Sequence, residues 1–213
     1  MKRCLIVSGG YPGHRAAEAG ERVRELLAGS GFDVRMSAAL SDYDTEDLPA
    51  YDLIVPNWTG GVISPETGKR LWDAVQRGTG LGGFHGGMAD GFPASEHFRF
   101  LVGGQYVREP GGIRRYTVNI TDRADPIMAG IDDFAYESEQ YYLHVDPANH
   151  VLATTTFDGM EYPWIRGVVM PTVWKKSFGA GRVFFSALGH VPEEFEHAAM
   201  RNILLRGLCW ASR

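Results

Sequence analysis

With 213 residues, 44% of them hydrophobic and 22% charged, the chain has an ordinary globular composition and can bury one substantial core. A net charge of −5, with no basic run or basic helix face, argues against a nucleic-acid partner. The two cysteines, Cys4 and Cys209, fall in apolar patterns, which excludes a disulfide framework and fits a reducing compartment. The N-terminal apolar run is too short for a signal-peptide core or a membrane span, so no membrane partner is expected and the cytoplasm is the default location.

No linker divides the chain, and a single domain over residues 1–213 is expected. Residues 4–8 read as a buried first strand, followed by the turn Gly9-Gly10-Tyr11-Pro12-Gly13-His14. A helix follows over 16–28, with Ala19, Val23, Leu26 and Leu27 at helical spacing and Gly29-Ser30-Gly31 to stop it. A second strand spans 32–36, an acidic loop or short helical turn 42–49, and a third strand 51–56. Ser64 as N-cap, Pro65 at the first helical position and Glu66 in the first turn start a helix that runs to Gln76. The next strand, 81–85, ends abruptly at His85 among glycines. This alternation implies a parallel sheet covered on both faces.

The second half changes character. After a short helix around 98–101, strands are expected at 114–120, 134–145, 151–157, 168–175 and 182–187, some of them antiparallel because their connections are short. A final helix is expected over 194–210. Tyr106, Tyr116 and Tyr162 suit either a homo-oligomer interface or the core.

Three of the seven histidines, His14, His85 and His190, follow strands or open glycine turns. In a doubly wound sheet those ends share the carboxyl edge, where ligands bind. Each alone can simply bond the backbone or cap a helix, but three together point to a shared site. Glu139, in Glu137-Ser138-Glu139-Gln140-Tyr141-Tyr142, is either an acid or base between aromatics or a solvated edge residue. Trp58 and Trp174 near strand ends suit stacking against a sugar ring or core packing. Glu193 and Glu194 either orient His190 or favour the start of the last helix. The spacing in Gly9–Gly13 fits neither the P-loop nor the dinucleotide fingerprint, so a nucleotide site is rejected.

Gly13-His14, Gly83-Phe84-His85-Gly86, Glu139-Gln140-Tyr141-Tyr142, Pro171-Thr172-Val173-Trp174 and above all the run from Gly179 through Arg182-Val183-Phe184-Phe185 to Leu188-Gly189-His190 carry a resemblance over nearly the whole chain. The sequence resembles the ThuA-like (trehalose utilisation) family, a branch of the class I glutamine amidotransferase-like superfamily. The resemblance implies an α/β, flavodoxin-like three-layer sandwich with a mostly parallel central sheet, extra antiparallel strands in the second half, and an elbow at its centre. In the amidotransferases that elbow carries a cysteine nucleophile; here it carries His85, and neither cysteine is placed to substitute, which excludes thiolate-based glutamine hydrolysis. Ser138 stands where the family has an acidic residue before Glu139.

Three functions remain open at this level. In the first, His85, His190 and Glu139 carry acid–base chemistry on a carbohydrate, trehalose or a related keto-sugar, with His14, Trp58, Gly86, Tyr141 and Trp174 lining the substrate and Gly86 leaving room for it. In the second, His14, His85, His190 and Glu139 hold zinc or a similar divalent ion for hydrolysis or elimination. In the third, the fold is a non-catalytic sugar-binding or regulatory module.

Overall fold

The computed structural model describes residues 1–213. Its strands are β1 (Lys2–Gly10), β2 (Phe32–Ser37), β3 (Leu53–Thr59), β4 (Gly80–Phe84), β5 (Gly104–Arg108), β6 (Ile113–Ile120), β7 (Phe134–Glu139), β8 (Tyr142–Val145), β9 (His150–Thr156), β10 (Val169–Phe178) and β11 (Gly181–Ser186). The α-helices are α1 (Ala16–Ala28), α2 (Asp42–Thr45), α3 (Pro65–Gln76), α4 (His85–Ala89), α5 (Glu96–Val102) and α6 (Ala198–Ala211).

Nine strands form one sheet in the order β2-β1-β3-β4-β11-β10-β9-β6-β7. The first five are mutually parallel, and from β10 outward each strand runs antiparallel to its neighbour. The side chains of β1 explain why the sheet is covered on both faces. Cys4 and Ile6 join the core under α1 and α6, while Leu5 and Val7 join the core under α3 and α5. Ser64 caps α3 as its sequence demands, its Oγ accepting the Thr67 N–H at 3.1 Å. No helix is long and apolar enough to cross a membrane.

The structure adds a strand the sequence does not announce, β5, and three boundaries near the site differ from expectation. The strand expected over 134–145 is two strands in two sheets: β7 pairs with β6, whereas β8 pairs with β5 in a separate ribbon. Gln140 and Tyr141 are both buried, so the chain cannot keep the alternation of a single strand through them. The last helix starts at Ala198 because Pro192–Glu196 forms a 3-10 turn and His197 serves as N-cap. His85 belongs to the turn rather than to the strand: β4 stops at Phe84, and His85 takes a left-handed φ of 47°.

Trp174 is a correction of function as well as place. It is wholly buried, its indole Nε1 donates to the Val102 carbonyl at 2.9 Å, and its ring packs on Phe185 at 4.3 Å between centroids. No substrate can stack on it. It ties β10 to the end of α5 instead.

Candidate active site

The carboxyl edge of the parallel strands carries the site. β1 delivers the 3-10 turn Pro12–His14, β4 delivers His85 and β11 delivers the loop Ala187–His190. The antiparallel half contributes Glu139, the last residue of β7, and Tyr141 in the break before β8. The rings of His14, His85 and His190 stand 4.9–5.1 Å apart, each edge-on to the next.

His85 lies at the bottom of the cluster, 2% exposed. Its Nδ1 is 2.9 Å from the Ala187 carbonyl oxygen. A carbonyl only accepts, so Nδ1 carries a hydrogen, and Nε2 of the neutral ring presents its lone pair to the centre of the site. There the Tyr141 hydroxyl donates to it at 2.7 Å, and its ring stacks on His85 at 4.2 Å. His85 Nε2 also lies 3.1 Å from Glu139 Oε2 and 3.1 Å from His190 Nδ1. His190 Nδ1 and Glu139 Oε2 are 3.3 Å apart. His14 completes the wall, its Nδ1 2.9 Å from the Thr59 hydroxyl oxygen.

The electrostatics separate these groups. Burial opposes charge on Glu139, but the hydrogen bond from His190 and the closeness of the His85 ring outweigh it and hold the carboxyl far below its usual range. Burial likewise works against a charged His190, yet its bond to Glu139 raises its affinity for a proton. His14 is pushed down to about 3, first by burial and then by the competing imidazoles of His85 and His190 beside it. Burial and the nearby Glu139, Asp90 and Glu109 keep the Tyr141 hydroxyl protonated. No lysine or arginine pairs with Glu139; its only partners of opposite sign are imidazoles.

Of the two carboxylates expected either to orient His190 or to favour the last helix, Glu194 anchors the His190 turn. Glu194 Oε2 accepts the backbone N–H groups of Gly189 at 3.1 Å and His190 at 3.0 Å, together with the Tyr136 hydroxyl. Glu193 turns outward to Arg15. Tyr116 donates its hydroxyl to the Glu139 carbonyl at 3.1 Å, and Tyr106 packs on Tyr141 at 4.8 Å. A charged side chain a few residues past His190 is a visible signal for Glu194, whereas nothing local marks Thr59 or Tyr116.

Two expected substrate contacts read differently in three dimensions. A Cβ on Gly86 would sit 2.7 Å from His14 Cε1 and 2.8 Å from Thr59 Oγ1, so the missing side chain makes room for the His14 ring and not for a ligand. Trp58 lays its ring across Gly9 and against Gly61 and packs on the core under α3 and α5, outside the groups that meet at His85. Solvent reaches the cluster at Glu139 and His190, which are 20% and 14% exposed. Cys4 is buried inside β1 and Cys209 lies on α6, and neither touches the cluster.

A mixed α/β sheet, parallel where it carries the site, thus presents a left-handed elbow residue and a cluster of three histidines and one carboxylate at its carboxyl edge, with no cysteine among them. The chain belongs to the ThuA family, described as trehalose utilisation, which matches residues 3–211. No curated protein matches it. Among solved structures it is similar to a ThuA-like protein of Parabacteroides merdae, with 21% identity, a TM-score of 0.80, and coverage of 99% of this chain and 89% of that one. A ThuA-like protein of Bacteroides uniformis follows at 19% identity, a TM-score of 0.76, and coverage of 98% and 89%. A β-galactosidase of Bacillus circulans matches 95% of this chain with 30% of its own, at 14% identity and a TM-score of 0.61. At these identities the likenesses concern the fold alone.

Proposed function

We propose that the chain acts on a carbohydrate, a keto-sugar related to trehalose, by moving protons beside a carbonyl and without a covalent intermediate. One observation carries this reading: two imidazole nitrogens, a carboxylate oxygen and a phenol meet within 2.7–3.3 Å at a solvent-reached sheet edge. Isomerisation or elimination next to a carbonyl needs a base, an acid and a donor for the developing oxyanion, and those groups are of these types. His85 and His190 are the proton carriers, Glu139 balances the charge that His190 gains, and the Tyr141 hydroxyl, released from His85 Nε2 once that nitrogen takes up a proton, is the oxyanion donor. The trehalose-utilisation character of the family supports a sugar as substrate.

The experiment is proton exchange in deuterated buffer, followed by NMR on keto-disaccharides. Loss of signal at the carbon beside the carbonyl is expected, slowed by about 10²–10⁴-fold in His190→Ala and Glu139→Gln. Binding of the sugar with no exchange would instead identify a binding module, and the catalytic reading would be wrong.

A further inference from the structure

We infer that His14, His85, His190 and Glu139 form a binding site for one divalent transition-metal ion of the zinc class. The inference rests on this cluster being the working site of the protein, but not on the substrate being a sugar. Ligation and proton transfer are alternative states of the same nitrogens: His85 and His190 carry protons in the metal-free protein and act as ligands when an ion is bound.

The spacing is the first support. An ion with bonds of about 2.0–2.1 Å to four tetrahedral ligands sets those ligand atoms roughly 3.3 Å apart. His85 Nε2, His190 Nδ1 and Glu139 Oε2 form a triangle with edges of 3.1, 3.1 and 3.3 Å. That is close to one face of such a tetrahedron. His14 supplies the fourth donor, and the ligand atoms of all four residues lie within 4.8 Å of one another.

The second support is the ring anchoring. His85 Nδ1 donates to the Ala187 carbonyl, and His14 Nδ1 is bonded to the Thr59 hydroxyl. A hydrogen bond on the far nitrogen fixes tautomer and orientation, which is how metal-bound imidazoles are held. The His85 Nε2 lone pair accepts the Tyr141 hydroxyl at 2.7 Å and also lies 3.1 Å from the Glu139 carboxylate oxygen, so an ion there takes the lone pair over from the phenol and separates it from the carboxylate.

Charge and ligand type agree. Glu139 has no lysine or arginine partner. Glu109, whose field reaches both His190 and Tyr141, keeps a buried carboxylate oxygen without a hydrogen-bond partner. Imidazoles with one carboxylate suit zinc and its neighbours, whereas magnesium and calcium prefer all-oxygen shells. A second His–carboxylate group, Asp122, Asp125 and His150, is a weaker competitor. Its histidine is exposed and already paired with Asp122, and Asp125 is paired with Lys175.

The test uses untagged full-length protein, stripped with a chelator and titrated with zinc chloride by calorimetry and by equilibrium dialysis with metal analysis. One zinc per chain is expected, lost in both His190→Ala and Glu139→Gln and retained in His150→Ala, with magnesium chloride giving no binding. Circular dichroism of each variant shows whether it is folded, and the paired variants guard against one of them failing. No saturable zinc binding, or binding that survives His190→Ala and Glu139→Gln in folded protein, overturns the inference. Sugar turnover plays no part in this readout. An inert sugar assay therefore overturns the proposed reaction while zinc binding stands, and turnover by zinc-free protein that binds no zinc does the reverse.

Discussion

Glu194 holds His190 through the backbone and not through the imidazole: its Oε2 accepts the His190 N–H at 3.0 Å while the ring points away to Glu139 and His85. The same oxygen takes the Gly189 N–H and the Tyr136 hydroxyl. One carboxylate therefore fixes the turn that aims the ring, and Gly189, at φ 100°, supplies the backbone geometry that the turn needs. Hydrogen bonds to a charged group contribute about 1.5–3 kcal/mol each. Glu194→Ala is expected to cost about 3 kcal/mol in denaturant unfolding and to shift the His190 imidazole resonances. Glu194→Gln, which keeps an acceptor oxygen, is expected to cost less than half as much. An unmoved His190 signal in folded Glu194→Ala would refute the positioning role.

His85 combines a left-handed backbone with a buried side chain, an uncommon pairing outside glycine. The strain is retained in His85→Ala and released in His85→Gly, although both remove the same ring. Alanine in that conformation costs roughly 1 kcal/mol more than glycine. His85→Gly is therefore expected to be the more stable variant by about 1 kcal/mol, against the usual preference for alanine over glycine. Equal unfolding midpoints, or alanine ahead, would show that the turn relaxes once the ring is gone.

Gly86 tests the contact with His14 directly. A methyl group there must displace the His14 ring or the Thr59 hydroxyl, since both come within 2.8 Å of the Cβ position. Gly86→Ala is expected to lose activity at the cluster while costing about 1–3 kcal/mol, the usual range for overpacking a tight site. If the glycine served as space for a ligand, the loss would appear in substrate affinity and His14 would keep its chemical shifts. Altered His14 shifts in the ligand-free variant distinguish the two.

Local periodicity was enough to find the parallel half of the sheet, because β1, β3 and β4 are apolar runs closed by glycine turns and α1 and α3 carry their own caps and stops. It also put His14, His85 and His190 at the ends of strands that a doubly wound sheet brings to one edge. Burial of consecutive residues hid the break at Gln140–Tyr141: Phe134 to Val145 alternates well enough to pass for one strand, and only the hydrogen bond from Tyr141 to His85, 56 residues away, shows why it is not. Trp174 was misread for a related reason. Its place near a strand end suits stacking as well as core packing, and the partner that decides for the core is the Val102 carbonyl, which no pattern around residue 174 reports. Gly86 and Glu194 are likewise defined by partners from other elements or by a turn whose shape no periodicity encodes.

The ribbon that begins just after Tyr141 is fastened to the main sheet by Lys176 and Asp146, and this pair predicts the acid limb of stability. Lys176, on β10, is buried. Its ammonium donates to Asp146 Oδ2 at 2.9 Å and to the Phe100 carbonyl at 3.1 Å. Burial alone would raise the Asp146 carboxyl, but the Ala148 N–H and the Lys176 ammonium overcome it and hold the group below its ordinary range. A carboxyl lowered by folding contributes stability that is complete above its unfolded value, near about 3.9, and is lost as the pH falls through the lower folded value. Asp146→Asn removes this contribution and leaves the lysine charge buried. Exposed pairs are worth about 0–1 kcal/mol, and breaking a buried one costs about 3–5 kcal/mol. With Asp146 partly exposed and a carbonyl still bonded to Lys176, about 2 kcal/mol is expected at neutral pH. The gap between wild type and Asp146→Asn should stay constant from pH 7 to about 5 and close below about pH 4, as protonation of Asp146 makes the wild type resemble the variant. Urea unfolding across that range measures it, and a gap that keeps its full neutral-pH size down to pH 3 would show that the carboxylate charge does not set the stability of this joint.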